Sequence, residues 1–246
     1  MLKDPRAEAP GDHDVLLIVD LQNDFCPGGA LSVPKGDAVI PAVNRLAARF
    51  SHVVLTQDWH PRGHQSFASS HPGRRAFDTI KASYGPQTLW PDHCVQATTG
   101  AAFHRDLAVP HAELVLRKGF RRDIDSYSAF RENDRKTLTG LAAYLRERGF
   151  ERVTLCGLAT DFCVLFSALD ARAAGFEVIV VLAACRGIDL DGSLARAVQA
   201  MADAGVEILG GVEIPGGVEI LGGVEIPGGV EIPGGVEILG GVGIPG

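Results

Sequence analysis

VLLIVD, residues 15–20, is five consecutive apolar residues closed by a carboxylate. A run this short and this uniformly apolar reads as a strand buried on both faces. HVVLT (52–56), ELVLRKG (113–119), RVTLCG (152–157) and FEVIVVL (176–182) repeat the pattern. Between them the period changes. Residues 37–50 carry Val39, Val43, Leu46, Ala47 and Phe50 at helical spacing. Residues 133–149 carry Leu138, Leu141 and Leu145 and stop at Gly149, and 160–174 stop at Gly175. Residues 193–204 set Leu194, Val198 and Met201 on one face. Residues 65–111, rich in Gly, Pro, Ser and His, read as a long functional loop region rather than core. Buried strands alternating with amphipathic helices predict an α/β fold, a three-layer α/β/α domain with a mainly parallel sheet, over residues 13–210.

The remainder reads as two tails. Residues 1–12 are charged and Pro/Gly-containing, unlike the apolar stretch of a signal peptide. From Gly205 the chain is seven hexapeptides, six of them GVEILG or GVEIPG and the last GVGIPG, running to Gly246. The first follows the last helix, where a terminal strand belongs. Residues 211–246, with two or three Gly/Pro per repeat, read as a low-complexity tail rather than a regular solenoid. A net charge of −7 with no basic cluster argues against nucleic acid and membrane surfaces as partners. No segment is long and apolar enough to be a transmembrane helix. Five scattered cysteines with no CxxC pair point to reduced thiols in a cytoplasmic compartment, and away from a thiolate zinc site.

In an open parallel sheet, sites form at the carboxyl ends of the strands. Asp20 follows the first strand, Asp58 and His60 the second, Lys118 the third, and Cys163 lies one loop beyond the fourth. A carboxylate, a carboxylate with an imidazole, an amine and a thiol therefore converge on one edge. Alone, Cys163 is a structural thiol, a metal ligand or a nucleophile, and LCGLATDFCV (155–164) does not decide. If Thr160 caps a helix, Cys163 falls in its first turn, where the dipole favours a thiolate. Lys118 beside it would favour the anion further, and Asp20 can take the thiol proton and return it to a leaving group. Together they make Cys163 a candidate nucleophile. Cys156 and Cys185 sit in apolar strand contexts and read as structural.

Asp58 and His60, two apart on an extended segment, point to one side and can share a cation. His93 in WPDHC (90–94) completes a three-ligand set with open positions, and His64 is a candidate fourth ligand. The donors suit one divalent ion, Zn²⁺, Fe²⁺ or Mn²⁺. No organic cofactor is indicated. Phe25, Trp59 and Trp90 either wall a pocket for a flat ligand or pack the loops.

These motifs, VDLQNDFCPGGAL (19–31), TQDWHP (56–61), WPDHCV (90–95), KGF (118–120) with DSYSAF (125–130), and GLATDFCV (157–164), resemble the nicotinamidases of the cysteine-hydrolase, isochorismatase-like superfamily. The resemblance runs from about Val15 to Leu209 and is nearest to bacterial nicotinamidase/pyrazinamidase enzymes. It implies an Asp20–Lys118–Cys163 triad and metal ligands at Asp58, His60 and His93, the metal holding the pyridine nitrogen of nicotinamide. It implies a non-proline cis peptide at Leu158–Ala159, so that the Ala159 and Cys163 N–H groups form an oxyanion hole. Phe25, Trp90 and Ala159 become substrate-binding residues. The implied activity is metal-dependent hydrolysis of nicotinamide, and of pyrazinamide, through a cysteine thioester, in NAD salvage. A homo-oligomer is compatible with this reading. The surplus hexapeptides are not family features.

Two other readings compete. An N-carbamoyl or ureido amidohydrolase of the same superfamily shares the triad but generally lacks the DxH…H metal set. A non-catalytic scaffold with a repeat tail has no need of Asp, Lys and Cys together.

Overall fold

The computed structural model describes residues 10–210, with the backbone of 213–214 and 218–219. The expected tails therefore lie largely outside the described residues. Residues 10–12 lead into the first strand, where the Gly11 N–H donates to Asp14 Oδ2 at 2.6 Å. Within the hexapeptides, Glu213–Ile214 and Val218–Glu219 pair as a short antiparallel ladder.

Six strands form the central sheet: β1 (Asp14–Val19), β2 (Val53–Asp58), β5 (Leu114–Lys118), β6 (Arg152–Leu158), β7 (Glu177–Arg186) and β8 (Glu207–Leu209). Their order is β5-β2-β1-β6-β7-β8, and every pairing is parallel. With four α-helices, α1 (Ile40–Ala47), α2 (Leu141–Glu147), α3 (Leu165–Ala173) and α4 (Ser193–Asp203), this is the three-layer α/β/α arrangement. Every residue of β1 and β2 is buried, which is why their sequences do not alternate. β5, at the edge, does alternate in burial. Leu16, Leu17 and Ile18 are at most 1% exposed, each contributing about 1.5–3 kcal/mol of apolar burial.

Strand order positions the site. The chain winds outward from β1 to β2 and β5 on one side, and from β6 to β7 and β8 on the other. The switch lies between β1 and β6, where ligands bind in open α/β sheets. Val19 pairs with Gly157 across it. Gly157 has φ +117°, and a Cβ there would lie 2.1 Å from the Val19 carbonyl oxygen, so only glycine lets the strands close at this point.

Three expectations need correction. The helix over 133–149 is only α2, Leu141–Glu147. Gly140, at φ +95°, starts it, and the Asp134 side chain holds the preceding turn by accepting the N–H groups of Lys136 and Thr137. Leu138, expected to face inward, is 68% exposed. The 65–111 region is not simply loop. It carries a hairpin of β3 (Thr79–Ala82) and β4 (Gly85–Thr88), and it buries Phe67, Leu89, Trp90, Cys94 and Ala101. Thr160 does not cap the helix after β6. That segment begins with a five-residue π-type turn, Thr160–Val164, preceded by Ala159 in extended conformation and without a side-chain cap.

Candidate active site

Asp20 follows β1 in the left-handed region, at φ +47°, and its side chain is fully buried. Thr56 of β2 holds it twice: Thr56 Oγ1 donates to Asp20 Oδ1 at 2.6 Å and accepts the Asp20 N–H at 3.1 Å. Parallel register aligns Ile18 with Leu55, which brings the ends of these strands side by side. The same logic sets Asp58 opposite Lys118 in the β2–β5 ladder.

Lys118 is the hub. Its ammonium lies 2.8 Å from Asp20 Oδ2 and 3.0 Å from Asp58 Oδ1, and donates to the Ser126 carbonyl at 3.1 Å. Cys163 Sγ is 3.4 Å away. The Asp20 contact is an ion contact outside hydrogen-bond angles, so Oδ2 retains acceptor capacity. Burial tends to lower Lys118, but the two carboxylates outweigh it and hold the ammonium well above its ordinary value. Burial raises Asp20 above the usual carboxylate range despite the Lys118 charge. Burial likewise pushes the Cys163 thiol well up, and Lys118 pulls it back only in part. The expectation that helix position and Lys118 lower this thiol is thereby corrected. Desolvation exceeds the lysine's effect, so the thiol keeps its proton until a base takes it.

Asp58, His60 and His93 are buried, with one donor atom of each within 4.8 Å of the others. Asp58 Oδ2 is 2.9 Å from His60 Nε2 and 3.3 Å from His93 Nε2. The other ring nitrogens are committed: His60 Nδ1 donates to the Gly119 carbonyl and His93 Nδ1 to the Pro91 carbonyl, each at 2.8 Å. That orientation turns both Nε2 atoms toward Asp58, as in a prepared metal centre. Gly119, at φ +67°, lets the chain pass His60; a Cβ there would lie 2.5 Å from the ring. Burial works to raise Asp58, but His60 and Lys118 hold it well below the usual range, hence ionised. One carboxylate and two imidazoles, buried and backed by carbonyls, fit a divalent cation.

His64 stands apart from this trio. Its Nδ1 is 2.7 Å from Ser66 Oγ and its Nε2 is 3.2 Å from the Ile124 carbonyl. It groups instead with His60 and Asp125, and its ring packs 4.3 Å from that of His60. Burial and the neighbouring His60 depress its protonation. Phe25 packs 5.5 Å from His93, and Trp90 lies 4.9 Å from Phe162 while donating through Nε1 to Tyr127 Oη. Trp59 is turned away beneath the Arg117 guanidinium, 3.9 Å from its ring. The Leu158–Ala159 peptide is cis.

Some residues at the site escape a sequence reading. Gln22 is fully buried; its Nε2 donates to the Asp58 and Ala101 carbonyls and its Oε1 accepts the Asp58 N–H. Phe67, also fully buried, packs edge-on at 5.4–5.6 Å against His60, His64 and His93. Thr56 was within reach, because it lies two residues before Asp58 and so on the same side of β2. Gln22 and Phe67 carry no such signal.

A profile of the isochorismatase domain matches residues 14–211. A nicotinamidase from Acinetobacter baylyi is 54% identical over 192 residues, covering 78% of this chain and 90% of the relative. The structure of a nicotinamidase/pyrazinamidase from Acinetobacter baumanii superposes with TM-score 0.80 at 53% identity, over 81% of this chain and 96% of that one. A pyrazinamidase from Pyrococcus horikoshii, solved in complex with zinc, gives TM-score 0.67 at 38% identity, over 80% and 98%. On this profile match, and on sequence identity of this order along most of its length, the chain belongs to the isochorismatase-domain family, in the group that holds these nicotinamidases.

Proposed function

We propose that this protein hydrolyses the carboxamide of nicotinamide to nicotinic acid and ammonia through a thioester on Cys163. The observation that carries the reading is the single ammonium of Lys118 touching Asp20 at 2.8 Å and Cys163 Sγ at 3.4 Å at the sheet's switch point. The raised thiol needs a base, and Asp20, itself raised, is poised to take a proton and give it back. Asp20 removes the Cys163 proton while Lys118 faces the developing thiolate. Sulfur attacks the carboxamide carbon, and the oxyanion is met by the N–H groups of Ala159 and Cys163. Asp20 protonates the departing ammonia and the thioester forms. Asp20 then takes a proton from water, which attacks the thioester carbon and releases nicotinic acid and the thiol.

Phe25 and Trp90 flank the ring of the substrate. Pyrazinamide, with the same carboxamide on a diazine ring, is a second substrate. Asp58, His60 and His93 would hold the divalent cation. When bound, that ion supplies a Lewis acid for a ring nitrogen, fixing the carboxamide toward Cys163. The metal donors favour this reading over an N-carbamoyl amidohydrolase. In this reading the reaction serves NAD salvage in the cytoplasm, where the free cysteines stay reduced. Cys163→Ala tests it: ammonia release from nicotinamide should fall to background, and turnover at the parent rate would refute the assignment.

A further inference from the structure

We infer that Asp161 is the positioning residue for the nucleophile, an inference that rests on Cys163 acting as proposed. Asp161 and Cys163 lie two apart in the turn Thr160–Val164, and their side chains leave it in different directions. Cys163 goes to Lys118. Asp161, only 4% exposed, goes to the segment joining β7 to α4. There Oδ1 accepts the Ile188 N–H at 2.9 Å, while Oδ2 accepts the Asp189 N–H at 2.8 Å and the Ser193 hydroxyl. Its contacts are therefore tertiary and do not stabilise the start of its own helix.

Three features single this carboxylate out. No basic side chain pairs with it among the described residues, so three hydrogen bonds alone hold a buried carboxyl group. The segment it grips is one that needs holding: Asp189 at φ +58° and Asp191 at φ +51° are left-handed non-glycine residues. The fit is also close, since a Cβ on Gly187 would lie 3.0 Å from Oδ1. One side chain thus fixes both the loop before α4 and the turn that aims Sγ. All three of its partners are donors. Asparagine, nearly the same shape, must present its NH₂ to at least one of them, which makes it a sharp probe.

Misplacing a reacting atom by about 1 Å costs a rate factor on the order of 10². Asp161→Asn should therefore lower kcat for ammonia release by on the order of 10- to 100-fold, with KM for nicotinamide little changed. Ser193→Ala, which removes one donor from a residue on α4, should lower kcat less. The double variant should be no worse than Asp161→Asn alone, because both act through one contact. A merely structural role gives a lower melting temperature with unchanged kcat per folded molecule, or additive losses; either overturns the inference. The parent protein in the same assay tests the proposed function separately. Should it release no ammonia, iodoacetamide labelling of Cys163 in folded protein decides. A severalfold change of labelling rate in Asp161→Asn supports the positioning role, and an unchanged rate refutes it.

Discussion

Replacing Lys118 by methionine removes the cation that links the two halves of the site. Its ammonium lies 2.8 Å from Asp20 Oδ2 and 3.0 Å from Asp58 Oδ1, with all three side chains buried. At an effective dielectric of about 20, each contact amounts to about 5–6 kcal/mol before desolvation. Desolvation cancels much of that, yet breaking a buried pair from one side costs about 3–5 kcal/mol, because a carboxylate stays behind without its counter-charge. The deficit depends on pH. Burial already holds Asp20 above the usual range, with Lys118 pulling against it. Without the lysine Asp20 moves further up. An acid whose folded value is raised costs nothing below its unfolded value, destabilises as pH rises between the two, and does so in full above the folded value. The deficit of Lys118→Met should therefore grow as pH rises from about 4, the unfolded carboxylate value, and be largest in alkali. Activity loses more: the thiolate loses its counter-ion, and a protonated Asp20 is no base. Ammonia release at neutral pH should drop by on the order of 10³ or more. Urea unfolding at mildly acid and mildly alkaline pH, with the ammonia assay, gives both numbers. Parent-like stability in alkali, or a larger deficit in acid than in alkali, refutes the argument.

Other outcomes follow from the same geometry. Gly157→Ala puts a Cβ 2.1 Å from the Val19 carbonyl at φ +117°, so it should cost upward of about 3 kcal/mol in denaturant unfolding, or prevent folding. His93→Ala should abolish stoichiometric binding of added zinc, whereas His64→Asn should retain it, as read by metal analysis after gel filtration. Asp14 gives a stability-linked titration remote from the site. Burial acts to raise it, but hydrogen bonds from Arg152 and the Gly11 N–H, with the Arg152 charge, hold it lower. A depressed acid stabilises above its unfolded value and loses that as pH falls through the folded one. With Arg152 partly exposed, Asp14→Asn should cost about 1 kcal/mol at neutral pH and progressively less as pH falls below about 4, the unfolded carboxylate value, by urea unfolding at each.

What the sequence discloses follows the physics of burial. β1 and β2 are covered on both faces, so their composition alone names them, and the carboxylates at their ends come with them. Lys118 is legible as the last residue of a short apolar strand, although β5 lies at the edge and alternates in burial. The failures lie where local sequence competes with tertiary contacts. Residues 133–140 have a helical apolar pattern, but Gly140 and the Asp134 turn override it, and Leu138 faces solvent. Thr160–Asp161 reads as a helix start, yet the Asp161 carboxylate is claimed by Ile188, Asp189 and Ser193, far away in the chain. Gln22 braces the Asp58 backbone across 36 residues, and nothing near it in the sequence announces that. The upward shift of the thiol escapes the sequence for a related reason. Helix position and a nearby lysine are visible in sequence, whereas the depth of burial that raises Cys163 is not.

The two halves of the site share one carboxylate. Asp58 Oδ1 meets Lys118 at 3.0 Å, while Oδ2 meets His60 at 2.9 Å and His93 at 3.3 Å. On the proposed mechanism, one oxygen belongs to the triad and the other to the metal donors. Parallel pairing enforces this division, because Asp58 and Lys118 are register partners at the ends of β2 and β5. Gln22 then fixes the Asp58 backbone through both its N–H and its carbonyl. Asp58, His60 and His93 would hold a cation beside Lys118, and its charge would offset that of Asp58. Asp20, Asp58 and Lys118 are thus linked electrostatically through these contacts. A substitution at Asp58 disturbs the nucleophile as well as the metal site, whereas one at His93 reaches the nucleophile only through Asp58.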